Sequence, residues 1–370
     1  QARMTSEQLP IIPIYGVIKN YPWGSYTTLA LHRGESRSDE PEAELWFGDN
    51  PQGPSPIVNS NKTVDSVTAQ SGRLPFLAKI LAVEHSLSLQ VHPALSDVEQ
   101  LKMVLNDDNH KPEMIIALTD FHALVGFASI DEILALLEQL DSPKVDEFLA
   151  EPIRAGSTLV ELLEKLLGIP DTEGILDEVR TKIGNLDNER SMWLRELIEL
   201  YSPKLDPLAF LLCQFVILEP GESLYLPPRC IHAYLHGTAV EVMANSDNVI
   251  RGGLTNKPID KANFLSLVGT SPARGERITP QVRDGVYQWR APVEDFLLHN
   301  IEGEINQGLT LTDWAIAFVW RGSVDVSPQR SGGEMIAQES ISQRKGALLA
   351  PGQYLFKGSG SLWVVSGKGR

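Results

Sequence analysis

Four residues of metal-binding type stand in this sequence at spacings that let them converge. In SLSLQVHP (Ser86–Pro93), strict alternation puts Leu87, Leu89 and Val91 on one strand face and Ser88, Gln90 and His92 on the other. Gln90 and His92 are then roughly 7 Å apart at Cα, close enough to reach one ion. In NHKPEMIIAL, Lys111 and Glu113 share a face that Ile115 continues, and Pro112 marks the start or edge of the strand. In GESLYLPPRCIH, a Gly turn, a short strand and a Pro-containing turn deliver His232 to the start of another strand. One amide oxygen, two imidazoles and one carboxylate suit zinc with an open position, although manganese, iron and cobalt accept the same donors. Singly, each residue reads as ordinary strand polarity; only their joint occurrence makes a site.

Charge limits what such a site can serve. The net charge of −16 excludes a nucleic-acid partner, because binding one takes basic patches that displace counterions. A sugar phosphate would need a local cationic cluster to overcome the global field, and Lys79, Lys111, Arg251 and Lys257 are its candidates. Arg251 follows the turn cluster Asn245-Ser246-Asp247-Asn248 and can present a fixed fork to an oxyanion. Gly252 and Gly253 beside it permit positive φ or close approach of backbone to a ligand. Trp23 and Trp46, flanked by polar residues and glycines, can face a sugar or wall a core.

The elements that must position these groups are mainly strands. From Ile11 to about Phe127, short apolar runs such as LPFLAKIL and MIIAL lie between Gly, Pro, Asn and Asp. Helical periodicity then takes over, opened by capping boxes at Ser129/Glu132 and Thr158/Glu161 and stopped at Ser202-Pro203. Strands return with AFLLCQFVILEPGESLYLPP and with VEVMA, where Glu241 alternates with Val240 and Val242. These runs indicate a sandwich or barrel, and the Gly-turn, strand, Pro-turn, His spacing of Gly221–His232 recurs in double-stranded β-helix barrels. The expected fold is therefore mainly β, with cupin (jelly-roll) barrels and an inserted helical domain. The expected domains are 1–127 with 208–265, 128–207, and 266–370. The two β regions read as distant copies of one barrel. No apolar run reaches the ~20 residues of a membrane span, and QARMTSEQLP lacks a secretion-signal pattern. Cys213 and Cys230 read as small buried hydrophobes in a reducing cytoplasm.

Three runs, SLSLQVHP, DDNHKPEMIIAL and HAYLHGTAVEVMANSDNVIRGGLT, resemble type I phosphomannose isomerases, zinc enzymes of the cupin superfamily. NYPWGS, AELWFG and LPFLAKIL match in the same order, so the resemblance runs from about Ile18 to Asp260. Departures are Pro22 and the short, lysine-poor segment between His92 and His110. The resemblance implies one zinc per chain on Gln90, His92, Glu113 and His232, and an active-site role for Arg251. It implies interconversion of mannose 6-phosphate and fructose 6-phosphate through a cis-enediolate, in carbohydrate metabolism that includes GDP-mannose supply. Lys79 and Lys111 are the expected proton carriers, on the argument that burial near a cation lowers a lysine pKa. Glu241, Asp247 and His110 are their rivals. Ser88, Trp23, Glu44, Tyr234, His110 and Lys257 are expected around the substrate, in a cytoplasmic monomer with no membrane partner. An iron or manganese cupin oxygenase or decarboxylase is disfavoured by Gln90 standing where such sites carry histidine. A non-catalytic sugar-binding cupin is disfavoured by the full ligand set.

Overall fold

A computed structural model describes residues 10–269, 273–329 and 338–368, so the first nine residues, read above for a secretion signal, lie outside it. The chain opens with β1 (Ile11–Tyr15), β2 (Val17–Lys19), β3 (Glu44–Phe47), β4 (Phe76–Val83), β5 (Leu89–Val91), β6 (Glu113–Ala117) and β7 (Phe121–Phe127). After a helical segment come β8 (Cys213–Leu218), β9 (Ser223–Leu226), β10 (His232–Ala244) and β11 (Ile250–Gly253). The remainder supplies β12 (Glu276–Arg277), β13 (Gln281–Arg283), β14 (Val286–Trp289), β15 (Leu297–Leu311), β16 (Ala315–Pro328), β17 (Glu339–Ser342), β18 (Lys345–Leu349) and β19 (Gly352–Ser366).

One strand organises the first β region. The C-terminal half of β10 pairs antiparallel with β4 and β6, whereas its N-terminal end pairs with β5 and β7. It thereby belongs to two layers, β12-β9-β6-β10-β4-β3-β2 and β11-β5-β10-β7-β8. The change of layer falls at Gly237, whose φ of 129° favours glycine and where a Cβ would lie 2.6 Å from the Asp120 carbonyl oxygen. Strands β2, β12, β11 and β8 remain edges, so among the described residues the expected barrel is an open sandwich.

Alternation divides each strand between a buried interior and a packed outer face. Leu81, Ile115, Phe121, Val125 and Leu224 fill one end of the space between the layers. On the outer face of the second layer, Leu89, Val91, Leu124 and Ile250 pack against helices through Leu162, Leu166 and Leu211. Those helices begin at Ile130, where Ser129 and Glu132 form the expected capping box, and the last long one spans Asn188–Tyr201. Thr158 and Glu161 cap a second helix in the same way. The outer face of the first layer, with Phe47, Ile80 and Val240, packs on Phe318, Trp363 and Trp289 of the second sheet.

Three expectations change. Pairing within SLSLQVHP is confined to Leu89–Val91, because β5 meets β10 only at Gln90–His232. The Leu87 backbone N–H instead donates to the Tyr234 carbonyl. The domain boundaries are also crossed: β1 pairs with β18 of the second sheet, and β12 returns to pair with β9 of the first. The close approach at Gly252 and Gly253 is met by the Phe264 ring and the Leu167 side chain.

Candidate metal centre

His92 follows β5, Glu113 opens β6 and His232 opens β10, so three strand ends bring the three side chains together. Their ligand atoms all lie within 4.8 Å of one another, and the residues are 4%, 2% and 1% exposed. His92 Nε2 is 3.0 Å from Glu113 Oε1, and His232 Nε2 is 3.7 Å from Oε2. Gln90 is registered opposite His232 on one side and Arg251 on the other, and it lines the cavity above.

The donor chemistry tests whether an ion fits. His92 Nδ1 bonds the Asn248 carbonyl at 2.7 Å, and His232 Nδ1 bonds the Cys230 carbonyl at 2.9 Å. A carbonyl only accepts, so each Nδ1 carries the proton and each Nε2 presents a lone pair. Burial, with Lys111 nearby, pulls the His92 pKa down to about 4, and burial lowers that of His232. Two neutral imidazoles therefore aim lone pairs at one carboxylate, and His92 Nε2 has no hydrogen-bond partner. Burial alone would raise Glu113, but His92 and Lys111 hold it well below the usual carboxylate range. Facing lone pairs in a buried space are satisfied by a cation, and imidazole–carboxylate donors fit zinc.

Charged groups continue along the interior. Tyr234 donates to Glu113 Oε2 at 3.1 Å, and Lys111 Nζ lies 3.4 Å from Oε1. Lys79 Nζ is 3.4 Å from Glu44 and 4.6 Å from the centre of the Trp46 ring. Burial pulls against the Lys79 charge, yet Glu44, Glu241, Glu113 and Asp247 raise its pKa above the ordinary value. The lowering expected for a catalytic lysine is therefore reversed at Lys79, because carboxylates outnumber cations around it. Glu241 moves the other way from most carboxylates: burial, then Glu113, raise it well above its usual range.

A cavity of about 320 Å³ opens over this row. Lys79, Lys111, Arg251 and Lys257 supply its cations, Glu44 and Asp247 its carboxylates, and Trp23, Ser88 and Gln90 further wall. The cluster demanded by the net charge is thus assembled from β4, the loop before β6, β11 and the loop after it. Glu241 and Tyr234 are buried outside this lining. His110 is diverted altogether: its Nε2 lies 3.0 Å from Asp295 Oδ2, just before β15, because the first layer packs against the second sheet there. Sequence reasoning missed Tyr21, Asn106, Thr255, Asn256 and above all Tyr201, the last residue of the long helix. It also missed Asn248, whose side chain bonds Asn106, Asp107 and Asn109 while its carbonyl holds His92. The tight SDN turn was the only signal.

Residues 11–130 match the family model for the catalytic domain of type I phosphomannose isomerase. The chain is 33% identical to mannose-6-phosphate isomerase of Escherichia coli K12, over 83% of this chain and 89% of that protein. It is 30% identical to the Rattus norvegicus protein of the same name, over 85% and 88%. A crystal structure of a phosphomannose isomerase variant from Salmonella typhimurium superposes with a TM-score of 0.86 at 26% identity, over 97% of this chain and all of that one. A mannose 6-phosphate isomerase structure bound with zinc and yttrium superposes at 0.84, also at 26% identity and over the same shares.

Proposed function

The chain belongs to the phosphomannose isomerase type I family, and from that membership we propose that it interconverts mannose 6-phosphate and fructose 6-phosphate with zinc held by Gln90, His92, Glu113 and His232. The observation that carries the reading is the confrontation of His92 Nε2 with Glu113 Oε1 at 3.0 Å, both Nδ1 protons being committed to backbone carbonyls. Held by those four residues, a zinc ion would supply Lewis-acid polarisation of the open-chain sugar's carbonyl.

The chain's own residues divide the remaining work. Of the cavity carboxylates, Glu44 is engaged by the Trp46 indole and Lys79, whereas the Asp247 side chain has no hydrogen bond or ion pair among the described residues. Asp247 takes the C2 proton of the aldose. The C2–H electron pair becomes the C1–C2 double bond of a cis-enediolate as the carbonyl pair moves to O1. Return of the proton to C1, with transfer of the O2–H proton to O1, leaves the C2 ketone and the C1 alcohol. Lys79 stays charged throughout and, with Lys111 and Arg251, offsets the enediolate charge. Lys257, exposed at the cavity mouth, and Ser88 receive the phosphate. Trp23 packs against the sugar, and Tyr234 keeps Glu113 oriented.

We read the protein as a cytoplasmic monomer. Cys213 and Cys230 are free and buried, with pKa values pushed up to about 12 by burial, which suits a reducing compartment. No helix among the described residues is long and apolar enough to cross a membrane. The decisive experiment is a coupled assay with mannose 6-phosphate alongside metal analysis. Activity should vanish on chelation and return with zinc; full turnover by stripped protein would overturn the reading.

A further inference from the structure

His92 and His232 arrive from segments far apart in sequence, and a set of bonds behind them joins those segments. The backbone N–H of Arg229, in the turn before His232, donates to the His92 carbonyl at 2.8 Å. Arg229 also closes a two-pronged contact with Asp97, Nε donating to Oδ2 at 2.8 Å and an Nη2 hydrogen bonding Oδ1. The same Asp97 Oδ2 accepts from the Ala94 backbone N–H at 2.8 Å, which tightens the chain just after His92. Both ligand-bearing segments thus end on one carboxylate. Arg229 adopts φ of 67°, a left-handed conformation that arginine disfavours and that glycine or asparagine would accept more readily. A strained residue kept where its side chain makes a bidentate pair points to a role for that side chain.

We propose that Asp97 and Arg229 are positioning residues, a clasp that sets the separation of His92 and His232 and so retains the metal. The proposal rests on the zinc reading above. The Arg229 side chain is 47% exposed against 11% for Asp97, so as an ordinary ion pair it adds little to folding stability. Its effect should appear in metal retention, where groups that orient ligands typically matter 10–100-fold.

The test measures zinc transfer from purified holoenzyme to an excess of chelator. The proteins compared are the unmodified chain, Asp97→Asn, Arg229→Asn and the double variant. Asparagine tolerates the left-handed backbone, so Arg229→Asn should fold, with a metal-free thermal midpoint close to that of the unmodified chain. Each single variant should release zinc about tenfold faster or more, and the double no faster than the worse single, because the pair acts as a unit. Added salt should quicken release from the unmodified protein and leave the Arg229→Asn rate flat, since only the former has a half-exposed pair to screen. Single variants that hold zinc as firmly as the parent, or losses that multiply in the double variant, overturn the clasp. An unmodified protein that holds no zinc overturns the zinc reading and the clasp together.

Discussion

Between the layers of the first β region, Lys79, His92, Lys111, Glu113, His232 and Glu241 are buried within one row. Inside the second, the corresponding volume holds Val286, Ile301, Ile305, Val319, Val324, Phe356 and Leu362. The buried polar residues Asn300 and Ser361 of that sheet are uncharged and bond Glu302, and Asn300 also bonds the Leu362 carbonyl. Each ionisable group taken from water costs several kcal/mol unless it is paired. The first interior pairs its groups only in part, as the raised Glu241 and the facing lone pairs at Glu113 show. Among the described residues the second interior buries no charged side chain of this kind, only the partly buried His299, and it shares an apolar interface with the first. One β region thus gathers buried ionisable groups, and the other packs apolar side chains.

The contrast breaks first, if it breaks, at Glu113. Glu113→Gln removes the carboxylate between two neutral imidazoles and takes from Lys111 its ion-pair partner, a loss of about 3–5 kcal/mol. Zinc content by metal analysis should collapse and turnover should fall by at least a hundredfold. A variant that kept both would detach the buried charges from function. Phe356→Ala in the second interior should lower unfolding free energy by about 3–5 kcal/mol in denaturant titrations, with zinc content unchanged while folded. Metal loss from the folded Phe356 variant would show that the regions do not divide their roles.

Arg251→Ala tests the site at finer grain. Turnover should drop about a hundredfold, near 3 kcal/mol of transition-state stabilisation, with zinc retained. Loss of zinc here would merge the metal and oxyanion roles.

Acid provides the smallest contrast. Burial, then Arg290, pulls His299 of the second sheet down to about 4, as burial does His92 in the first. Both stay neutral when folded and take up a proton when unfolded below the ordinary 6.5. Each contributes stability that is whole above 6.5 and is lost as pH falls toward 4, by up to about 1.4 kcal/mol per pH unit. His299→Asn should flatten the stability profile in that window without moving the pH profile of turnover. A shifted turnover profile would tie the second sheet to the chemistry.

What was legible is periodic. Alternation in SLSLQVHP singles out Gln90 and His92; the structure gathers His92 with Glu113 and His232 and lines the cavity with Gln90. The capping boxes at Ser129 and Thr158 mark helices that form as expected. Other residues escaped notice because their sequence context points elsewhere. Tyr201 ends a helical run just before Ser202-Pro203, where nothing in the local pattern marks a site, yet it walls the cavity. His110 adjoins the HKPE motif and reads as catalytic, yet it is held by Asp295.

Period, capping residues and net charge, read along the chain, already imply which side chains share a face, where two of the helices start, and that any anion must be met by a local cationic cluster. Local dihedral preference and side-chain period need no knowledge of the rest of the chain. Tertiary structure alone decided that β10 serves two layers and brings His232 beside His92. It alone exchanged β1 and β12 between sheets, and it alone reversed the expected shift at Lys79. Those outcomes depend on long-range packing and on the sum of nearby charges, which residues distant in sequence supply.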